Sequence, residues 1–161
     1  MTSFWNSLES DRPFTDRTQQ ILLLAADEAI LANRGYIGPE HILLAIMRGP
    51  VGVAAFALRD HGVELVTIRK RINEIRPEAD EHLCGQLATH LAETSVKQAI
   101  EEAAKLGCDY VGTEHLLLSL LQEKETVAGQ ILFGFGLEYE NIRDELWQHL
   151  KGCWHIYSPP P

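Results

Sequence analysis

The feature that most constrains this chain is that it repeats itself once. Gly38-Pro39-Glu40-His41, followed by Ile42, Leu43 and Leu44, returns as Gly112-Thr113-Glu114-His115, followed by Leu116, Leu117 and Leu118. Shifting the chain by the 74 positions that separate Glu114 from Glu40 also sets Ala25 on Ala99, Glu28 on Glu102, Ala29 on Ala103 and Tyr36 on Tyr110. Beyond the motif, the same shift matches Val53 with Val127, Leu58 with Leu132, Gly62 with Gly136, Glu64 with Glu138, Ile68 with Ile142 and Arg69 with Arg143. One ungapped offset held over so many positions marks an internal duplication. The period is too long for a solenoid unit, so a doubled subdomain is expected. With 161 residues, 45% of them apolar, the chain can bury one core, and one domain built from two halves follows.

Each half reads as four helices. Thr15 is a good N-cap, and Ile21, Leu22, Ala25, Ala29 and Ala32 recur at the three-and-four spacing of a buried face. Arg34-Gly35 is expected to end that helix through a left-handed glycine. The motif opens the second helix, with Pro39 in the tolerated first turn and Glu40 favoured by the positive end of the helix dipole. Ile42, Leu43, Leu44, Ile46 and Met47 make it mostly apolar and hence central, and Gly49-Pro50 ends it. A third helix is predicted over 51–60, ended by His61-Gly62, and a fourth over 64–75. In the fourth, Leu65, Ile68, Ile72 and Ile75 face inward and Arg69, Lys70 and Arg71 face water. The series then repeats from Thr89 through helices ending near Gln122, over 127–133 and over 138–150.

No segment alternates with period two for long enough to argue for a strand. The expected fold is therefore all-α: eight helices in two four-helix halves, repeat one over 14–76 and repeat two over 88–150. Residues 77–87 have a linker's composition. Residues 1–13, with Phe4, Trp5 and Leu8, form an N-terminal tail that either packs one short helical turn on the body or frays. Residues 151–161 form an extended C-terminal tail.

Charge and cysteine content narrow the function. A formal charge of −9 argues against nucleic acid, where affinity comes from cations that displace counterions, and against anionic membranes. No stretch approaches the roughly 20 apolar residues that span a bilayer, and the first residues lack a secretory signal. Three cysteines suit a reducing compartment, so a cytoplasmic location is expected. His82, Cys84, His90, Cys153 and His155 lack the tight paired spacing of a zinc site, and no metal or cofactor is expected. Cys108 reads as a structural thiol. The Glu-His pairs do not read as acid/base pairs, because neighbouring helical residues point about 100° apart. Each histidine is expected to pack against the first helix of its half.

The doubled pattern of Phe14-Thr15-Asp16-Arg17 leading to Gly38-Pro39-Glu40-His41, then Lys105-Leu106-Gly107 leading to Tyr110-Val111-Gly112-Thr113-Glu114-His115, resembles the Clp N-terminal repeat domain, and within it the ClpC type. The resemblance covers roughly 14–150. It implies a non-enzymatic, pseudo-twofold all-α module of the Clp chaperone-protease system that docks substrate or adaptor proteins, with phosphoarginine-marked proteins among them. Glu40 and Glu114 are implied to take the guanidinium through exposed carboxylates, with Thr15, Thr89 and Thr113 close by. Two departures bear on this: Pro39 replaces a threonine in the first motif, and Ala88 replaces an aromatic residue before Thr89, which is expected to weaken the second site. No phosphate-cradling Gly-x-x-x-x-Gly-Lys-Ser/Thr stretch is present, so the chain reads as a free-standing docking domain. The alternative is an accessory subunit that docks on the Clp protease core or on a Clp ATPase without binding substrate.

Overall fold

The computed structural model describes residues 5, 12–32, 34–49, 52–76 and 87–153. Within them the chain forms α1 (Asp16–Leu31), β1 (Tyr36–Ile37), α2 (Pro39–Arg48), α3 (Val53–Asp60), α4 (Leu65–Ile75), β2 (Leu87–Ala88), α5 (His90–Lys105), α6 (Thr113–Gln122), α7 (Val127–Gly134) and α8 (Tyr139–Cys153). The two halves are related by a local dyad. Every packed helix pair has its mate when α1 to α4 are exchanged with α5 to α8: α1 on α6 matches α5 on α2, α3 on α6 matches α7 on α2, and α3 on α8 matches α7 on α4. The contact of α2 with α6 maps onto itself and marks the axis.

The motif helices are central for the reason their composition gives. All but the last residue of both α2 and α6 are buried, and Ile42, Leu43, Leu116 and Leu117 are fully enclosed. Burying each such side chain contributes about 1.5–3 kcal/mol. The first helices are capped as expected, with the Thr15 hydroxyl accepting from the Thr18 N–H and that of Thr89 accepting from the Ala92 N–H.

Two features of the backbone depart from expectation. Short parallel pairings are present: Tyr36-Ile37 pairs with Leu87-Ala88, and Phe14 pairs with Val111. Each ties the segment before the first helix of one half to the segment before the motif of the other. Thr15 N–H donates to Val111 C=O and Thr89 N–H donates to Ile37 C=O, so the halves exchange their entry segments. The second concerns helix ends. α1 is capped at Ala32, ahead of Arg34-Gly35, whereas Gly62, Gly107 and Gly136 take positive φ of 74°, 68° and 76°.

Side-chain placement corrects several further details. Ile75 is 39% exposed rather than inward. Of the basic series on α4 only Lys70 is exposed: Arg69 pairs with the buried Glu28, and Arg71 lies over the Phe135 ring. α8 runs to Cys153, three residues into the expected tail. Trp5 is buried in the core and Arg12 Nε donates to Cys108 C=O, so these two residues of the N-terminal tail are packed. Phe4, Leu8, most of the linker, His82, Cys84 and His155 lie outside the described residues.

Candidate functional site

The motif begins each central helix with a glycine N-cap, Gly38 and Gly112, both in extended conformation that any residue can adopt. What requires glycine is approach. A Cβ on Gly38 would fall on the Glu40 carboxylate, and a Cβ on Gly112 on that of Glu114. Each carboxylate therefore folds back over the opening of its own helix, where free N–H groups and the dipole favour a negative charge. A Gly112→Ala variant should leave the melting temperature within about 2 °C, since the Cβ displaces only the end of a flexible side chain. It should also move the Glu114 carboxyl out of its buried seat, returning its titration toward the ordinary carboxylate range in a carbon NMR titration.

The histidines complete the opening. His41 Nδ1 accepts from the Gly38 N–H at 2.9 Å and His115 Nδ1 from the Gly112 N–H at 2.8 Å, a capping box in which imidazole takes the part usually played by Glu or Gln. Burial lowers both imidazoles to about 4. They are neutral at pH 7 and their Nδ1 lone pairs are already used, so acid/base work by the Glu-His pairs has no support. Each ring also meets a tyrosine edge, His41 with Tyr36 at 5.8 Å and His115 with Tyr110 at 5.9 Å. They thus cap their own helix and pack on the motif tyrosine.

The two glutamates are not exposed as expected. Glu40 is 3% and Glu114 4% accessible, whereas Tyr36 and Tyr110 are half-buried. Burial raises both carboxyl groups, opposed by their own backbone N–H and by a hydrogen bond from Tyr36 or Tyr110. At Glu40 the Arg76 and Arg34 guanidiniums oppose it further. Arg76 Nη1 stands 4.0 Å from Glu40 Oε1 and donates to Tyr36 Oη at 2.6 Å, with the guanidinium 5.6 Å from the Tyr36 ring centre.

The exchange of entry segments relocates the threonines. Thr15 and Thr18 stand beside the second motif, with Thr18 Oγ1 donating to Val111 C=O, and Thr89 stands beside the first. Each glutamate is thereby matched with the N-cap threonine of the other half. The backbone of Ala88 pairs with Ile37 just before the first motif, and that of Phe14 with Val111 just before the second, so the position without an aromatic lies beside the first motif and not the second. Thr113 is buried with its hydroxyl against Gly52. Cys108 is buried, its thiol pushed up to about 11 by desolvation and then by Glu114 and Asp109, which makes it a poor nucleophile.

Sequence reasoning missed Arg76, Tyr36 and Tyr110 as parts of the site. The tyrosines were visible as a register match, but Arg76 gave no such signal, because the offset places Leu150 at its counterpart. Two surface clefts lie away from the motif. One of about 460 Å³ is lined by Met47, Arg59 and Glu64, and one of about 230 Å³ by Lys105, Arg143 and Trp147. Among the described residues no helix is long and apolar enough to cross a membrane, and no group of His, Cys, Asp or Glu could hold a metal ion.

Comparison with known proteins bears on the family and the fold. The model of the Clp repeat N-terminal domain matches residues 13–134 and again 87–155. The chain is 37% identical over 137 residues to the negative regulator of genetic competence ClpC/MecB of Bacillus subtilis, covering 85% of this chain and 17% of that protein. It is 36% identical over 137 residues to the chaperone protein ClpB of Oceanobacillus iheyensis, with the same coverage of each. It thus spans about a sixth of the length of these relatives. The N-terminal domain of the ClpD chaperone from Arabidopsis thaliana superposes with a TM-score of 0.64 at 19% identity, covering 85% of this chain and 96% of that one. With the duplicated motif, the dyad and a family match across most of its length, the chain belongs to the Clp repeat N-terminal domain family.

Proposed function

We propose that this chain is a protein-docking module of the Clp chaperone-protease system. It acts by binding rather than by catalysis, and takes a guanidinium-bearing side chain of a substrate or adaptor, phosphoarginine among them, at its motif glutamates. The observation that carries this reading is Arg76. Its side chain is 45% exposed, yet it lies within ion-pair range of the buried Glu40 and packs on Tyr36. A carboxylate beneath the surface is therefore within reach of a guanidinium that itself remains partly in water. Carboxylate and guanidinium match through charge-assisted hydrogen bonds.

One copy of such a domain lacks the gain in effective concentration that a multivalent array gives, so affinity should be micromolar or weaker. Titration of free phosphoarginine by calorimetry tests the proposal: Glu40→Gln/Glu114→Gln should bind at least 10-fold more weakly than the wild type. No binding by the wild type, or equal binding by both, refutes it. The fold supplies a control. A carboxyl raised by burial is stabilising while protonated, and that contribution is lost as pH rises through its folded pKa. Glu114→Gln removes a charge held at pH 7 against this cost, and should raise the melting temperature by about 2 °C or more.

A further inference from the structure

The two cradles are equivalent by sequence offset but not by content. At the first, Arg76 Nη1 donates to Tyr36 Oη and stands 4.0 Å from Glu40 Oε1, and Arg34 Nη2 donates to the Arg76 carbonyl, fixing the end of α4 from which Arg76 projects. The offset places Leu150 at the counterpart of Arg76 and Cys108 at that of Arg34, so neither cation is repeated. Among the described residues, the one basic group in ion-pair range of Glu114 is His115, whose Nδ1 is 3.9 Å away and accepts from Gly112. That imidazole is neutral at pH 7. Glu114 is thus a carboxylate more than nine-tenths buried, with a tyrosine hydroxyl and its own N–H and, among the described residues, no charged cation in ion-pair range. The entry segments differ as well: the backbone of Phe14 bridges to Val111 before the second motif, where that of Ala88 pairs with Ile37 before the first.

Resting on the docking function above, we propose that Arg76 is a built-in guanidinium that occupies the Glu40 cradle, so that a guanidinium from a partner is taken at the Glu114 cradle alone. The chain is then a one-site receptor, although its sequence carries two copies of the motif. The tethered arginine also outcompetes a free one, since ligand on the same chain acts at an effective concentration of about millimolar or more.

The test is a titration of free phosphoarginine, followed by amide chemical shifts in the whole chain, for the wild type, Arg76→Ala and Arg76→Gln. In the wild type the shifts should cluster at Gly112, Glu114 and His115, with a calorimetric stoichiometry of one. In either variant a second cluster should appear at Gly38, Glu40 and His41 and the stoichiometry should rise to two, with affinity at the second cradle changed less than 3-fold. Two sites in the wild type, binding at the first cradle alone, or a single site in both variants overturns the inference while leaving the docking function intact. No shift at either cradle in any of the three proteins overturns both. A measurement without ligand checks the occupant itself: in Arg76→Gln the Glu40 carboxyl should titrate at higher pH than in the wild type, with Glu114 unmoved. An unmoved Glu40 would remove Arg76 from the cradle.

Discussion

Taking this protein from pH 7.5 to pH 5 should cost about 4 kcal/mol of folding stability through two imidazoles, His41 and His115. Each is buried, each accepts a glycine N–H on Nδ1, and each is lowered from 6.5 to about 4, with desolvation the leading cause. The folded state therefore binds fewer protons than the unfolded chain between these values. Stability is full above 6.5 and is lost as pH falls toward 4, by about 2 kcal/mol per histidine at pH 5. Glu40 and Glu114 act in the opposite sense, because burial raises them and the folded state takes up their protons more readily. Their contribution is separated by comparing variants. His41→Gln/His115→Gln keeps an acceptor for each glycine N–H, since Gln serves at this position of a capping box, while removing both titrations. Urea midpoints at pH 7.5 and pH 5 should converge in the double variant and diverge in the wild type. A wild-type loss no larger than that of the variant would mean that neither ring is held neutral by its cap.

How far the sequence carried this result depends on whether a feature was local or repeated. The offset of 74 positions made the halves, the central motif helices and the capping threonines legible, because each rests on a short-range pattern seen twice. The exchange of entry segments was not legible. It is made by two-residue pairings between Tyr36-Ile37 and Leu87-Ala88 and by one bridge at Phe14, too short for any period-two pattern. In sequence Ala88 belongs with Thr89 and the second half, and only the pairing with Ile37 carries its backbone beside the first motif. Burial of the glutamates was hidden as well, since a charged residue in a first helical turn is ordinarily solvated. Here the glycine N-caps let the carboxylate fold back against the start of its own helix. Arg76 escaped because duplication arguments find what is shared, and what distinguishes the first cradle is a residue the second half does not repeat. The pair Glu28 and Glu102 shows the same limit: the match was visible, but not that both are buried. Nor were their partners visible, Arg48 and Arg69 for one and Lys105, Gln122 and Tyr139 for the other.

Alanine at Gly129 should destabilise the fold by about 3 kcal/mol, although glycine to alanine within a helix ordinarily stabilises by roughly 0.5–1 kcal/mol. Gly129 lies in α7, where its N–H donates to Thr126 Oγ1 at 3.0 Å. Thr126 in turn donates both its N–H and its hydroxyl to the Glu123 carbonyl, which draws that carbonyl down onto the start of the helix. A Cβ on Gly129 would fall on the Glu123 oxygen and close on its carbon. These are backbone atoms held by two hydrogen bonds, so unlike the Glu114 carboxylate over Gly112 they cannot swing aside. The first half provides the control, because the offset sets Ala55 at this position and Gly52 where Thr126 stands. Without the threonine, α3 enters by a connection that leaves room for a buried Cβ, and Ala55 is 1% exposed. Ala55→Gly should therefore cost about 1 kcal/mol, from chain entropy and lost packing. At about 2–4 °C per kcal/mol for a chain of this size, Gly129→Ala should lower the melting temperature by roughly 6–12 °C and Ala55→Gly by roughly 2–4 °C. A Gly129→Ala protein as stable as the wild type would show that the turn before α7 does not rest on that carbonyl. Combining Gly129→Ala with Thr126→Gly, which restores the first half's pattern, should recover part of the loss, because the carbonyl is then free to lift.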